Sequence, residues 1–396
     1  MSIQARSRSY PLDERPPYEW PGNAYPGMTA DWLDQSSEPT PARPLRVTHV
    51  GQSMVRAGIE NWLKGLMRFL DPSRVRVVKC IATAPEEVDP TVTSEMGVPV
   101  EVGGADVVQR AARESDVLLC WGPRQLGEWL THVDPRLCVV VAHGEGPWTK
   151  QIIDGCTPVA DHVVAVSRRV EERIATGLPT TVIPNGVDTA HLARTRPASA
   201  VREALGFRPS DFVIGYVGRF SDEKRPHLVA QAVSRLPANF KALFVGWGPL
   251  QSRLLDYANR MIPGRYAFVR GINDVGDYYS AMDAMCLPSE EEGFGLVILE
   301  AMFCDRPVIA TPVGCVPELV RDRVNGLVVD GSANSIAAVA MMLHRHPAWA
   351  RGLAAEGRAT AEEIGHARTM ARSYENLFLR LWREKFGREP SLAVAP

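Results

Sequence analysis

Apolar residues fall in short, nearly continuous runs along the first half of the chain, at 46–50, 75–81, 117–121, 137–142, 162–166 and 180–183. A strand covered on both faces has no polar side, so such runs predict interior strands of a mostly parallel sheet. Between them, 59–70 and 167–176 carry helical spacing, as crossover helices would. A second series follows, with strands at 212–217, 241–245, 266–269, 284–287, 307–310 and 327–329 and helices at 226–236, 249–260, 296–303 and 335–343. The stretch 188–209, with Pro197 and Pro209, separates the two series and puts the interdomain connection near residue 190. A long helical pattern covers about 362–385, with Met370, Tyr374, Leu377, Phe378 and Leu381 on one face. The pattern predicts two α/β domains with a cleft between them. Ligands of such sheets bind beyond the carboxyl ends of the strands, so functional residues belong just after the apolar runs.

Ahead of these runs, residues 1–44 hold Pro16, Pro17, Pro21, Pro26, Pro39, Pro41 and Pro44 and show no periodicity, which predicts a flexible extension. Its aromatics Tyr10, Tyr18, Trp20, Tyr25 and Trp32 leave two readings open, anchorage on a domain surface or exposure without consequence. A length of 396 residues exceeds what one hydrophobic core usually organises, in keeping with two domains. The net charge of -2, from 44 basic against 46 acidic residues, lacks the basic footprint of a nucleic-acid binder, so no nucleic-acid partner is expected. It leaves room for a local basic pocket that takes a single phosphate-bearing ligand. The seven cysteines are scattered through apolar runs with no CxxC pair, which suits buried small hydrophobes in a reducing compartment better than a disulfide framework or a metal site. Neither a signal-peptide core nor 18 uninterrupted apolar residues occurs, so a cytoplasmic protein is expected, with peripheral contact at the inner face of the membrane left open.

Two clusters carry candidate chemistry. The first runs from Gly215 to Pro226 and reads Gly-Tyr-Val-Gly-Arg-Phe-Ser-Asp-Glu-Lys-Arg-Pro. It leaves a strand and enters a helix, with Pro226 suited to the first turn. Gly218 lets a ligand approach the backbone, while Arg219 and Lys224 add cations where free N–H groups already favour an anion. A diphosphate would satisfy both, although Asp222 and Glu223 could equally pair with those cations in a solvated turn. The second cluster reads Leu287-Pro288-Ser289-Glu290-Glu291-Glu292-Gly293-Phe294-Gly295-Leu296, followed by Glu300-Ala301-Met302. Glu300 interrupts an apolar helix face, which is costly unless its carboxylate is paired or binds something. Eight helical steps cover roughly 12 Å, enough for Glu300 and Glu292 to hold opposite ends of a nucleotide sugar through its hydroxyls. Glu290 and Glu291 are read as solvating the loop.

These residues resemble the GT-B-fold retaining glycosyltransferases of family 4, the glycosyl transferases group 1. The family's Glu-x7-Glu motif is matched by Ser289, Glu292, Gly293, Phe294, Gly295, Leu296, Glu300, Ala301 and Met302, and its Val-Gly-Arg signature with a downstream Lys by Val217, Gly218, Arg219 and Lys224. Family-like stretches also begin at Ile183, Pro307 and Val316, and the similarity spans about residues 46–380. The resemblance implies two Rossmann-like domains facing across a cleft. Residues 1–44 would be an extension, 45–190 the acceptor domain, 191–361 the nucleotide-sugar donor domain, and 362–396 a helix and tail that cross back to the first domain.

It further implies that Arg219 and Lys224 take the donor diphosphate, Glu300 the ribose, and Glu292 the hydroxyls of the transferred sugar. Backbone groups of Phe294, Gly295 and Leu296 would orient the sugar and β-phosphate, and His143, after a strand of the first domain, would reach the sugar near the reaction centre. The loop Gly51 to Glu60 sits where the family has paired glycines beside the phosphates. Gly58 and Glu60 fit that pattern, Ala57 does not, and Gln52, Ser53 and Arg56 are available for acceptor or phosphate contacts. Asp305 and Cys315 stand where the family commonly has glycine.

The implied reaction moves a hexosyl group from a UDP- or GDP-sugar to an acceptor hydroxyl with retention. No further cofactor is expected and, lacking an Asp-x-Asp motif, no metal. Rival readings are an epimerase or phosphorylase on the same fold, or a nucleotide-sugar-binding protein without catalysis. Loops near Trp121, Arg124, Trp148 and Lys150 would shape the acceptor site.

Overall fold

A computed structural model describes residues 41–55, 58–270 and 275–387. Most of the extension (1–40, with all five of its aromatics), Arg56, Ala57 and the tail 388–396 lie outside the described residues. The last residues of the stretch read as flexible are docked onto the body. Pro41 is buried, and Arg43 grips Asp116 through both carboxylate oxygens, at 2.5 and 2.9 Å.

The first sheet contains β1 (Leu45–Gly51), β2 (Val75–Ala82), β3 (Val100–Val102), β4 (Val117–Trp121), β5 (Cys138–Ala142), β6 (His162–Ala165) and β7 (Thr180–Val182), in the spatial order β3-β2-β1-β4-β5-β6-β7. The second contains β8 (Phe212–Arg219), β9 (Phe240–Trp247), β10 (Tyr266–Val269), β11 (Ala284–Leu287), β12 (Val308–Ala310) and β13 (Leu327–Val328), in the order β10-β9-β8-β11-β12-β13. Every strand pairing in both sheets is parallel. Strand order reverses between β1 and β4 and again between β8 and β11, the position where a doubly wound sheet opens a crevice for ligands. Both motif clusters leave the sheet there: Arg219 ends β8, and the 288–295 loop follows β11.

Helices α1 (Gly58–Phe69), α2 (Pro90–Glu95), α3 (Ala105–Glu114), α4 (Leu126–Trp129), α5 (Pro147–Cys156) and α6 (Arg168–Ile174) belong to the first sheet. The second carries α7 (Ala198–Ala204), α8 (His227–Val233), α9 (Gln251–Met261), α10 (Val275–Ala281), α11 (Leu296–Phe303), α12 (Val316–Leu319), α13 (Ala333–Arg345) and α14 (Pro347–Ile364). The sequence read 362–385 as one helix, whereas α14 stops at Ile364 and α15 (Ala367–Phe386) begins after a break at Gly365 and His366. The break has a cause. Val187 N donates to Gly365 O (2.7 Å) and Ala367 N to Val187 O (3.0 Å), so two passages of chain pair side by side. A Cβ on Gly186 would lie 2.5 Å from the His366 carbonyl group, which fixes glycine there. Beyond the break, α15 buries Met370, Tyr374, Leu377 and Phe378 and packs on α1, whose Trp62, Leu63 and Leu66 face inward.

All seven cysteines are free, and all but Cys304 are buried. Asp305, in a glycine's usual place, adopts the left-handed conformation (φ 55°) that Asp tolerates better than most residues. No helix among the described residues is long and apolar enough to cross a membrane.

After the connection, the chain is tied to the second domain by Asp277 of α10, which is inaccessible to solvent. It accepts from Thr195 N (2.7 Å), Thr195 Oγ1 (2.8 Å), Arg196 N (3.1 Å) and Arg196 Nε (2.9 Å). Burial would raise its carboxyl, but the hydrogen bonds from Arg196 and Thr195 outweigh burial and hold it down to about 2. A depressed carboxyl stabilises the fold above its unfolded value of about 3.9 and loses that contribution as pH falls through the folded value. Asp277→Ala will therefore lower the melting temperature at neutral pH by roughly 6–12 °C, the scale for breaking a buried charge network. In scanning calorimetry this gap will narrow between about pH 4 and pH 2.

Candidate active site

Around the β8–β11 switch point the two motif loops are laced together. Glu290 N donates to Glu223 O (2.7 Å), and Arg225, at φ 47°, donates through Nε to Pro288 O (2.8 Å) and through Nη2 to Ser289 O (3.1 Å). Arg225 was quoted in the sequence without a role; it braces the loop backbone. Lys224 Nζ lies 2.9 Å from Glu292 Oε1 and 3.0 Å from Glu291 O, and Ser289 Oγ donates to the same Glu292 oxygen at 2.8 Å. Arg219 is exposed at the end of β8; its carbonyl accepts from Tyr216 OH (2.7 Å), while its guanidinium has no hydrogen bond or ion pair among the described residues. Asp222 and Glu223 thus take neither motif cation: Glu223 accepts from Ser221 Oγ instead (2.5 Å).

Glycines let the backbone run where side chains would collide. Gly218 (φ 144°) comes so close to Gly246 that a Cβ on the latter would lie 2.0 Å from Gly218 O. Gly295 (φ 83°) turns the chain into α11. Phe294 is buried behind it, and Leu296 faces Gly58 of the first domain, whose Cβ position lies 3.9 Å from Leu296 Cδ1. Cys315, buried at the N-cap of α12, turns its thiol to Phe294 O and has an ordinary φ of -80°, so the missing second glycine is not needed for the turn.

Glu300, 6% exposed, is paired as its apolar surroundings require. Tyr279 OH donates to Oε2 at 2.8 Å, and His191 Nε2 lies 3.2 Å from Oε1. Nothing in the sequence pattern pointed to Tyr279 or His191.

In the first domain, His143 follows β5 in an aromatic box, its ring 4.6 Å from that of Trp62 and 6.0 Å from that of Trp121, both edge-on. Its Nε2 is buried without a hydrogen-bond partner among the described residues. Burial, with nearby His49 adding to it, pushes the imidazole down to about 3, so His143 is neutral at physiological pH. Glu60 holds residues 53–55 by accepting from Ser53 Oγ and Val55 N, both at 3.1 Å, which assigns Ser53 a structural partner.

Two carboxylates cross the cleft in opposite directions. Glu145 of the first domain accepts from Glu292 N and Gly314 N, each at 3.3 Å, and pairs with Arg169. Glu318 of the second accepts from Arg169 N (3.1 Å) and Arg168 N (3.3 Å) at the start of α6; burial raises its carboxyl despite these bonds. The domains also touch at Gly293, where an added Cβ would lie 1.6 Å from His143 O. Among the described residues no three His, Cys, Asp or Glu side chains are grouped to hold a metal ion.

Residues 211–346 match the family described as glycosyl transferases group 1. That segment holds Arg219, Lys224, Glu292 and Glu300 in the arrangement above. Residues 211–346 belong to the group 1 glycosyltransferases. Similar curated proteins include the D-inositol 3-phosphate glycosyltransferase of Mycobacterium marinum, 37% identical over 205 residues, which cover 49% of this chain and 42% of that protein. The Rhodococcus opacus protein of the same name is 33% identical over 228 residues, covering 52% of this chain and 51% of that one. The chain thus spans about half the length of these relatives in the matched region.

Among solved structures, Anabaena Alr3699/HepE in complex with UDP and glucose superposes with a TM-score of 0.75 at 23% identity, over 84% of this chain and 99% of that one. Sucrose-phosphate synthase of Thermosynechococcus elongatus gives 0.70 at 18% identity, over 86% and 100%. At such identities the likeness is one of fold, and the fold is GT-B.

The Gly293 contact makes a clean test of the closed arrangement. Gly293→Ala leaves both sheets untouched but adds a methyl group where the His143 carbonyl stands. Small-angle scattering will show a larger radius of gyration than wild type, with little change in melting temperature. An unchanged radius would mean that the two domains do not rest on this contact in solution.

Proposed function

We propose that the chain is a retaining glycosyltransferase that moves a hexosyl group from a UDP- or GDP-sugar to an acceptor hydroxyl. The observation that carries this reading is the convergence of Arg219, Lys224 and Glu292 at the β8–β11 switch point, with His143 brought up from the other domain by the contact at Gly293. An unpaired guanidinium at the end of β8 and an ammonium drawn to the 288–295 loop offer two cations to a diphosphate, and a cation placed where charge develops on the leaving group is the largest usual contributor to such a reaction.

In this reading Arg219, Lys224 and the backbone of Phe294, Gly295 and Leu296 bind the diphosphate and orient the sugar. Glu300 takes the ribose hydroxyls. Glu292, held by Lys224 and Ser289, binds hydroxyls of the transferred sugar and stabilises its developing positive charge. Neutral His143 serves as a hydrogen-bonding group toward the sugar rather than as an acid. The acceptor oxygen attacks the face from which phosphate leaves: the anomeric C–O bond breaks with its electrons going to the phosphate oxygen, the new C–O bond forms, and the acceptor proton passes to that phosphate oxygen. Closure across Glu145 and Glu318 excludes water and aligns the acceptor.

UDP in the HepE complex and inositol 3-phosphate in the relatives' names suggest the first substrates to try. Mass spectrometry of UDP- and GDP-hexoses, paired with D-inositol 3-phosphate and with saccharide acceptors, will reveal a product one hexose heavier. Arg219→Ala will lower kcat by roughly 10²–10³-fold, as loss of one preorganised charge stabiliser does. Glu292→Ala will lower it as well. If both variants turn over as wild type does, the mechanism is wrong; donor consumption without acceptor would favour an epimerase or a hydrolase.

A further inference from the structure

The hinge and the nucleotide end of the site meet at one side chain. His191 lies in a 3-10 turn (Thr189–Leu192) four residues after Val187, which pairs with Gly365 and Ala367 where the two interdomain passages run together. Asp188 starts that turn, accepting from Ala190 N (3.1 Å), and pairs with Arg68 of α1 at 2.6 Å. One turn is therefore fastened to the first domain through Arg68 and to the second through His191.

The protonation state of His191 follows from its partners. One ring nitrogen, Nδ1, faces the carbonyl oxygen of Asp188, and the other, Nε2, faces Glu300 Oε1 at 3.2 Å. A carbonyl can only accept. The remaining proton is shared between an imidazole and a carboxylate, and it rests on the imidazole, the stronger base by about two units. Both nitrogens then donate, and the ring is an imidazolium.

Other groups near the turn do not compete. On α10, Asp277 is occupied by Thr195 and Arg196, and Tyr279 donates to the second oxygen of Glu300. Arg196 also lies over the ring of Tyr278. Cys304, at the end of α11, has its thiol pushed up to about 12 by burial and stays neutral. His366, at the break before α15, is bound to Glu362 (2.8 Å).

We propose that His191 is a positioning residue for Glu300: as an imidazolium clamped between the Asp188 carbonyl and the Glu300 carboxylate, it keeps that carboxylate aimed, and it couples nucleotide binding to the hinge. This rests on the reading of Glu300 as the ribose contact. With Tyr279 and His191 each using one lone pair, Glu300 keeps two for vicinal hydroxyls. Burial opposes the charge on His191, but the bond and charge of Glu300 and the Asp188 carbonyl outweigh it and raise the imidazole above its ordinary value. The sign follows: the contribution is complete at mildly acidic pH and is lost as pH rises through the raised value.

Two measurements test the proposal on the full chain. In the first, histidine Cε1–H resonances are titrated by NMR, with His191 assigned by its loss in H191Q. Its midpoint will lie above the ordinary ~6.5 and fall in E300Q. A midpoint at or below the ordinary value overturns the clamp, whatever the protein binds.

The second is calorimetric binding of UDP-glucose and GDP-mannose without acceptor, at about pH 6.5 and about pH 8.5, on either side of ordinary histidine titration. Wild type will bind the preferred donor more weakly at the higher pH. H191Q will bind about tenfold more weakly at the lower pH, the scale of one lost charge-assisted hydrogen bond, and its affinity will barely change with pH. If E300A loses affinity while H191Q keeps wild-type affinity and pH dependence, His191 does not position Glu300. If E300A itself binds as wild type, the ribose assignment falls and the coupling with it, while the NMR titration still decides whether the ion pair exists.

Discussion

The exchange of carboxylates across the cleft is the constraint on which the rest of the site depends. Glu145 reaches backbone N–H groups of Glu292 and Gly314, while Glu318 reaches those of Arg168 and Arg169. A carboxylate taken from water costs several kcal/mol unless donors replace its hydration. Each of these finds backbone donors in the opposite domain, with Arg169 of its own domain added for Glu145, so separating the domains leaves donors and acceptors to be rehydrated on both sides. Gly293 sets how near they come, because any side chain there would collide with the His143 carbonyl. The loop carrying Glu292 is consequently held from both domains at once, through Lys224 and Ser289 on its own side and Glu145 on the other.

A second consequence concerns charge. The cleft gathers Glu145, Glu292, Glu300 and Glu318, yet each faces donors of its own: Arg169, Lys224, the Tyr279–His191 pair, and two backbone amides. Arg219 stands apart as an exposed cation with no partner among the described residues. Its guanidinium is the positive charge at the end of β8 left free to meet an anion, although the chain as a whole carries a net charge of -2.

Much of this was legible in the sequence, and the part that was not has a physical reason. Runs such as 117–121 and 284–287 coincide with β4 and β11 because strands buried on both faces need unbroken apolar residues, a local requirement. The short β3 escaped notice, having only three residues with Glu101 in the middle. Lys224, Glu292 and Glu300 announced themselves because a charge beside glycines or within an apolar helix is anomalous in its own neighbourhood. His191, Glu145 and Tyr279 are not anomalous locally; their meaning lies in partners 109, 147 and 21 residues away. The break between α14 and α15 was missed likewise, since the backbone of Val187 claims the hydrogen bonds that a continuous helix would have kept.

The same distinction separates the two halves of the cleft. On the second domain, chemistry is written in contiguous loops, where glycine geometry and charge can be read residue by residue. On the first, His143 owes its character to rings brought from elsewhere: Trp62 on α1, Trp121 at the end of β4 and, behind Trp62, Tyr374 on α15 at 5.7 Å. The helix that returns from the second domain thus helps to form the apolar box that keeps this imidazole neutral. A group prepared in that way depends on both domains being folded and joined, so the first domain's half of the cleft cannot be understood as a free-standing module. Its environment is set by the crossing of the chain at Val187 and Gly365, the same crossing beside which His191 meets Glu300.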